Sequence, residues 1–199
     1  MSTSKNNNLF PVFLKLEHLH ILIVGGGNIG LEKISAVLNN SPEAKVTLVA
    51  RTVFPEIKKF QKGSEKLKIV ERNFEIADLN GKDLVIAATG DREVSELIRK
   101  EASSRKILIN VADTPDLCDF YLGSIVQKGD LKIAISTNGK SPTLAKRLKE
   151  VLNEALPIDL QDSIGSLNRL RNYLKGDFAK KVKALNKATE LLIKEEQKN

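Results

Sequence analysis

Short apolar runs separated by amphipathic stretches fill the first part of the chain. The apolar runs predict five β-strands, at residues 21–24, 44–50, 67–70, 84–88 and 107–111. Apolar positions at helical spacing follow the first, second and fourth runs, and they predict a helix in each place. Such alternation is typical of an α/β fold, in which helices cover both faces of a parallel sheet.

The same pattern predicts which side chains pack inward. On the helix expected at residues 93–103, we expect Val94, Leu97 and Ile98 to face the core. The apolar segment at residues 9–16 contains Phe10 and Phe13, which we expect to cover one edge of the core. All five side chains are therefore expected to be shielded from solvent.

After Asp113 the pattern changes. Two short strands, at residues 123–127 and 131–137, flank Lys128-Gly129-Asp130 and predict a β-hairpin. A two-stranded ribbon alone is marginally stable in water, so we expect it to pair with a second copy in a homodimer. Helical spacing then predicts three helices, from Pro142 to about Leu156, from Leu160 to near Gly176, and from Phe178 to about Ile193.

Three glycines follow the first strand in the run Ile-Leu-Ile-Val-Gly-Gly-Gly-Asn-Ile-Gly at residues 21–30. Gly25, Gly27 and Gly30 fit G-x-G-x-x-G, the fingerprint of Rossmann-like dinucleotide-binding domains. In that fingerprint the first glycine permits a tight turn, the second leaves room for a pyrophosphate, and the third lets the helix pack closely. The other interpretation is a glycine-rich turn without a ligand, but the flanking strand and helix favour a nucleotide.

Ligands of parallel sheets bind beyond the carboxyl ends of the strands. Four strand ends are therefore candidates: residues 25–30, Arg51-Thr52, Thr89-Gly90 and Ala112-Asp113. An NAD-specific domain usually carries an acidic residue at the second of these ends. Arg51 stands there instead, and it could bind the 2′-phosphate of NADP or simply be a charge exposed to solvent. Thr52 can still form a hydrogen bond with a ribose hydroxyl. The spacing alone does not choose between the cofactors.

A second polar loop precedes the helix that begins at Pro142. It consists of Ser136, Thr137, Asn138, Gly139, Lys140 and Ser141. Ser141 suits a helix N-cap and Pro142 a first helical position. The loop is therefore either an ordinary capped turn or a second anion site at a helix N-terminus, and the spacing favours neither.

Composition narrows the classes of partner. The net charge of +7 favours anionic partners. The basic residues are spread along the chain, however, and the chain has no tryptophan. We therefore favour basic helix faces exposed to solvent over a nucleic-acid-binding surface. The single cysteine, Cys118, excludes a disulfide framework, and His18 and His20 have no third ligand nearby, so we expect no resident metal. No apolar run suits a membrane span or a signal peptide, which favours the cytoplasm.

Five segments in order resemble one protein family. They are Leu-Phe-Pro-Val-Phe-Leu-Lys-Leu (9–16), Val-Gly-Gly-Gly-Asn-Ile-Gly-Leu-Glu-Lys (24–33), Ile-Ala-Ala-Thr (86–89), Asn-Val-Ala-Asp (110–113) and Ser-Thr-Asn-Gly-Lys-Ser-Pro (136–142). Together they are similar to the precorrin-2 dehydrogenase/sirohydrochlorin ferrochelatase family, which also forms the N-terminal module of siroheme synthase. The resemblance covers residues 9 to about 175, and the last two segments are its most particular part.

The resemblance implies an activity and a set of site residues. It implies a homodimer that uses NAD to oxidise the tetrapyrrole precorrin-2 to sirohydrochlorin, and in many members then inserts ferrous iron. By position, Asp113 matches the family's catalytic aspartate, and Thr137 matches a serine that lines the tetrapyrrole pocket. The family's cofactor contacts fall on Asn28, Ile29, Arg51 and Thr52. With the breaks in pattern, this implies a dinucleotide-binding domain at 1–114, a dimerisation segment at 115–150 and a helical domain at 151–199.

The chemistry at Asp113 is consistent with that activity. Dehydrogenation removes a hydride and a proton, and a carboxylate at a strand end can accept the proton. Without the resemblance, an Asp before Thr114-Pro115 is better read as a turn former. A second hypothesis is a non-catalytic NAD-sensing regulatory module, which shares the strand, glycine turn and helix but has no need of the loop at 136–141.

Overall fold

The computed structural model describes residues 7–62, 65–157, 160–174 and 178–189. The chain divides into two compact units, Met1–Leu122 and Gly123–Asn199. The division into 1–114, 115–150 and 151–199 stays a prediction. The helix ends expected at Gly176 and Ile193 lie outside the described residues.

The first unit is built on a five-stranded parallel sheet, as the apolar runs predict. The strands are β1 (His20–Val24), β2 (Lys45–Ala50), β3 (Leu67–Glu71), β4 (Leu84–Ala87) and β5 (Leu108–Val111). Their spatial order is β3-β2-β1-β4-β5. The helices between them are α1 (Asn28–Asn40), α2 (Pro55–Lys62) and α3 (Arg92–Ser104). The predicted α/β fold class is confirmed.

Alternating side chains of the strands pack on the two faces of this sheet. Ile21 and Ile23 of β1 join one buried cluster with residues of α1 and α2, whereas Leu22 and Val24 join another with Ile98 of α3. The chain leaves β1 toward β2 on one side and returns to β4 on the other, so the strand order reverses between β1 and β4. Ligands bind at such a reversal, beyond the carboxyl ends of the strands.

Three packing predictions are wrong. Leu97 is 42% exposed, because α3 packs through Ser95, Ile98 and Ala102, a stripe that does not include it. Phe10 and Phe13 are 86% and 67% exposed, because their segment runs outside the two core clusters of the first unit. Apolar character alone does not show whether a side chain faces the core or the solvent.

The second unit combines a hairpin with helices. Its elements are β6 (Ser124–Lys128), β7 (Leu131–Ile135), α4 (Pro142–Ala155), α5 (Leu160–Tyr173) and α6 (Phe178–Thr189), and β6 pairs antiparallel with β7. The strand predicted at 131–137 ends at Ile135, because Asn138 and Gly139 turn in the left-handed region. Among this unit's described residues, only Val126 and Ala145 are buried. Within the described ranges, no helix reaches the length and apolarity needed to cross a membrane.

One ion pair braces the loop between β3 and β4. Both terminal nitrogens of Arg72 donate to the carboxylate of Asp78, at 2.8 and 2.6 Å, and the Glu75 amide donates to it at 2.9 Å. Burial pushes the pKa of Asp78 upward, but the hydrogen bonds from Arg72 and Glu75 and the charges of Arg72 and Lys82 outweigh it, so the pKa lies below its ordinary value. Ionised Asp78 therefore stabilises the fold.

Replacing Asp78 tests this brace. We expect Asp78→Asn to lower the midpoint of thermal unfolding at pH 7 by about 2–4 °C, because charged hydrogen bonds are lost. A depressed folded pKa contributes stability above the unfolded value, about 4, and loses it as the pH falls through the folded pKa. The difference between variant and native protein should therefore shrink in acid. The exposed pair of Lys58 and Glu71 gives the control, since Glu71→Gln should change little. Equal effects of both variants, or no shrinkage in acid, would contradict the prediction.

Candidate dinucleotide-binding and catalytic site

The turn after β1 has no room for a side chain at Gly25 or at Gly30. Gly25 has φ +124°, and a Cβ added to it would lie 2.1 Å from the carbonyl oxygen of Ala88, just after β4. A Cβ added to Gly30 would lie 2.2 Å from the carbonyl oxygen of Gly25. The end of β1, the end of β4 and the start of α1 therefore meet through backbone atoms. The predicted roles of the first and third glycines are confirmed in these contacts.

Gly26 is a structural residue that the motif does not identify. A Cβ added there would lie 2.3 Å from the carbonyl oxygen of Thr52. The amide of Phe54 donates to the carbonyl oxygen of Gly26 at 2.9 Å, which ties the turn after β2 to the turn after β1. The sequence signal was the unbroken run of three glycines, of which G-x-G-x-x-G accounts for only two.

Gly27 differs from its neighbours because the space around its Cα is open. A Cβ added to Gly27 would meet nothing within 4 Å. Gly27 is also the N-cap of α1 and supplies no capping side chain, and the first turn, which includes Asn28 and Ile29, contains no acidic residue. The first amides of a helix carry partial positive charge and need an acceptor. The space at Gly27 and the amides of Asn28 and Ile29 together form an open site, which we call the glycine cradle. Its shape and charge fit a pyrophosphate, as the fingerprint requires.

The ends of β2 and β4 contribute differently to this edge. Arg51 and Thr52 are exposed beyond β2, where side chains can meet a nucleotide. The Thr89 hydroxyl is engaged within the protein: it donates to the carbonyl oxygen of Asp91 at 2.9 Å and lies 2.9 Å from Ser95 Oγ. Asp91 in turn caps α3 by accepting from the Val94 amide. Thr89 thus shapes the turn after β4, and cofactor contacts at these positions stay predictions.

Asp113 follows β5 in an unusual backbone conformation. Its φ is +57°, in the left-handed region that only a few residue types, Asp and Asn among them, enter readily. The residue is exposed, and within the described chain no hydrogen bond or ion pair engages its carboxylate. A turn-forming Asp typically bonds its own backbone with its side chain. This carboxylate does not, so it is free to meet a ligand.

The polar loop before α4, in the second unit, is closed by its own side chains. The Thr137 hydroxyl donates to the Ser141 carbonyl oxygen and accepts from the Ser141 amide, both at 3.1 Å. Asn138 and Gly139 have φ +54° and +72°, and the Lys140 amide donates to the Thr137 carbonyl oxygen at 3.0 Å. The predicted N-cap is confirmed, because Ser141 Oγ accepts from the Leu144 amide at 3.2 Å. Unlike α1, α4 thus begins with a capping side chain, and a ligand at this loop stays a prediction.

A cavity of about 350 Å³ lies at the other edge of the sheet. Residues at the starts of β1, β2 and β3 line it, and there His20 Nε2 lies 2.9 Å from Thr47 Oγ1. Burial and the charges of Lys82 and Lys45 lower the pKa of His20, so the imidazole is neutral at pH 7. Both lysines and glutamates line this cavity, so its charge favours neither anionic nor cationic ligands. The glycine turn, with its open backbone cradle, is the better candidate site.

Family models match most of the chain. Residues 12–124 match the NAD(P)-binding family, and residues 128–154 match the central part of sirohaem biosynthesis proteins. The chain belongs to this NAD(P)-binding family. The glycine turn at residues 25–30 lies within the matched range.

Siroheme synthases are among the relatives of this NAD(P)-binding protein. The siroheme synthase of Psychrobacter cryohalolentis is 36% identical over 178 residues, which are 89% of this chain and 33% of that protein. The one from Psychromonas ingrahamii is 41% identical over 150 residues, 75% of this chain and 31% of that protein. The chain thus spans about a third of the length of these relatives. The family resemblance drawn from the sequence motifs is confirmed.

A solved structure extends the likeness to both units. The precorrin-2 dehydrogenase SirC is 27% identical, has a TM-score of 0.72, and matches 90% of this chain and 88% of its own. The fold of the chain is therefore that of SirC.

Two glycine variants separate binding from folding. We expect Gly27→Ala to fold with an unfolding midpoint within about 2 °C of native, because the space is open, but to bind NAD at least about 10-fold more weakly. Gly30→Ala should instead destabilise the fold by about 1–3 kcal/mol, because its Cβ would overlap a backbone oxygen. Calorimetry measures both quantities. Native NAD affinity in Gly27→Ala would show that the cradle is not the pyrophosphate site.

Proposed function

We propose that the chain catalyses NAD-dependent oxidation of precorrin-2 to sirohydrochlorin in siroheme biosynthesis. The observation that carries the proposal is the unpaired, exposed carboxylate of Asp113, which follows the carboxyl end of β5 in the same sheet that carries the open glycine cradle after β1. The likeness to the precorrin-2 dehydrogenase SirC and to siroheme synthases supports the choice of substrate.

The residues of the chain have distinct tasks in this reaction. The amides of Asn28 and Ile29, with the space at Gly27, bind the pyrophosphate, and Arg51 and Thr52 meet the adenosine half. Bound NAD supplies the acceptor for the hydride. The Asp113 carboxylate accepts the proton that the macrocycle loses and releases it to water, so the oxidation balances as one hydride and one proton. Its exposure permits that release.

The substrate's side chains explain the polar loop before α4. Precorrin-2 and sirohydrochlorin carry several carboxylates, which basic side chains and hydroxyls bind. We assign the carboxylate contacts to exposed or half-exposed residues of the loop Ser136, Thr137, Asn138, Gly139, Lys140 and Ser141. The left-handed pair Asn138 and Gly139 presents Lys140 to solvent, where it can meet an anion.

A non-catalytic NAD sensor is the alternative function. A sensor needs the glycine cradle but not a free carboxylate held in a left-handed turn. The two hypotheses differ in one product, because only the enzyme forms NADH when NAD and precorrin-2 are mixed with it.

The variant Asp113→Asn tests the enzyme hypothesis. Asparagine tolerates the left-handed region, so the fold and the affinity for NAD should stay native. Loss of the base should lower kcat by at least about 100-fold, measured anaerobically as NADH absorbance with precorrin-2. Asp116→Asn, a nearby exposed carboxylate paired with Arg92, is the matched control. NADH formation by Asp113→Asn within about 10-fold of native would remove Asp113 from the mechanism.

Ferrous iron insertion into sirohydrochlorin extends the proposal. Insertion also removes protons, here from pyrrole nitrogens, and the same carboxylate can accept them. Iron enters this proposed step as a substrate. Among the described residues, no group of three histidine, cysteine or acidic side chains is placed to hold a metal ion. An anaerobic assay with sirohydrochlorin and ferrous iron, on the native chain and on Asp113→Asn, decides whether this step belongs to the protein.

We also propose that the chain acts as a homodimer and in the cytoplasm. Few of the second unit's described residues are buried, and Leu144, Leu148 and Val151 lie 51%, 41% and 59% exposed on α4. Their spacing of four and three residues places them on one helix face. An apolar face beside a lone hairpin is typical of an interface. Use of a single cysteine is consistent with a reducing compartment.

A charge on that face should separate the protomers. We expect Leu148→Lys to weaken dimerisation by at least about 10-fold, measured by sedimentation equilibrium, because a charge would be buried at the interface. Glu150→Lys, which places the same side chain on another face of α4, should leave the dimer intact. A native chain that sediments as a monomer would contradict the homodimer.

A further inference from the structure

The open edge of β5 is covered by the segment that follows Asp113. β5 is an edge strand, so the N–H and C=O groups of Ile109 and Val111 on its open side have no strand to pair with. The Asp119 amide donates to the Ile109 carbonyl oxygen at 2.8 Å, and the Ile109 amide donates to Asp119 Oδ2 at 3.1 Å. One residue thus satisfies both backbone groups of Ile109.

Cys118 does the same for Val111 with its side chain. The Val111 amide donates to Cys118 Sγ at 3.2 Å, and the thiol lies 3.2 Å from the Val111 carbonyl oxygen and 3.4 Å from that of Thr114. Asn110 Nδ2 also donates to Sγ, at 3.6 Å, and to the Phe120 carbonyl oxygen at 2.8 Å. The contacts of Cys118 therefore join residues on both sides of Asp113.

The charge states of the two groups suit these contacts. Burial raises the pKa of the Cys118 thiol, so at neutral pH the group keeps the hydrogen that it donates. Burial alone would raise the pKa of Asp119, but hydrogen bonds from Arg99 and from the Ile109 amide, with the charge of Arg99, hold that pKa below its ordinary value. Asp119 is therefore an ionised acceptor, anchored to α3 through Arg99.

We propose that Cys118 and Asp119 are positioning residues for Asp113. By closing the edge of β5 at Val111 and Ile109, they fix the residues on which the left-handed turn at Asp113 is built. In this proposal they act by holding the Asp113 carboxylate in one orientation, and not by binding NAD or the substrate. This inference rests on the proposed function, since it assigns the turn a part in that reaction.

The turn itself can be tested on the full-length protein without ligands. In Cys118→Val, which has an apolar side chain larger by one heavy atom and loses the hydrogen bonds, the Val111 amide should exchange with deuterium at least about 10-fold faster, as measured by NMR. The Thr114 amide, which donates to the Val111 carbonyl oxygen at 3.4 Å, should exchange faster as well. Asp119→Ala should do the same at Ile109. Cys118→Ser, which keeps a donor and an acceptor, should restore most of the protection. Asp116→Ala removes a carboxylate that pairs with Arg92 of α3 and should leave these amides unchanged.

Kinetics then separate positioning from general stability. Cys118→Val and Asp119→Ala should lower kcat for precorrin-2 by about 10-fold with KM for NAD within about 2-fold, since a small displacement of a catalytic group is costly. Cys118→Ser should recover kcat. Native kcat in Cys118→Val and in Asp119→Ala would overturn the inference.

The proposed function and the positioning role fail in different ways. A native protein that forms no NADH would refute the function, and the exchange rates would still decide whether these side chains hold the turn. Unchanged exchange in both variants would overturn the inference whatever the activity. Should Asp119→Ala fail to fold, Asp119→Asn replaces it, because its amide oxygen can accept from Ile109 but lacks the ion pair with Arg99.

Discussion

The steric crowding at the first turn is the constraint on which the rest of the molecule depends. Backbone atoms after β1, after β4 and at the start of α1 approach so closely that a single Cβ at Gly25 or Gly30 would overlap a carbonyl oxygen. These close backbone contacts fix the direction of α1. They also bring the N-terminal amides of α1 to the edge of the sheet where the strand order reverses. The open space at Gly27, which lies between Gly25 and Gly30 in the chain, is where a pyrophosphate fits.

The two ends of the site use the backbone in different ways. At the cradle, glycine allows conformations and contacts that no side chain permits. The proposed reaction requires a side chain at Asp113, which adopts the left-handed conformation next to a strand that Cys118 and Asp119 hold by hydrogen bonds. Strained or unusual backbone is maintained only where surrounding contacts determine it. The hydrogen bonds along the open edge of β5 are such contacts.

The sequence predicted the features that residue type determines. Only glycine tolerates the close backbone contacts at residues 25 and 30, and Ser141 before Pro142 specifies a helix start, so both features were predictable. The edge contacts of Asp119 were not, because they depend on β5 lying last in the sheet, which no local pattern records. Leu97 was misplaced for a similar reason: two adjacent apolar residues on a helix leave open which one faces the core. Residue type could not choose between NAD and NADP at Arg51, or between a structural and a catalytic aspartate at 113.

A crystal structure of the protein with bound NAD would show whether the glycine turn and Asp113 belong to one site. The account predicts the pyrophosphate against the amides at the start of α1, beside Gly27, and the nicotinamide at the edge of the sheet that carries Asp113. A dinucleotide bound elsewhere, for example in the cavity at the starts of β1, β2 and β3, would contradict it. So would a nicotinamide directed away from β5, because the carboxylate of Asp113 would then have no proton to accept.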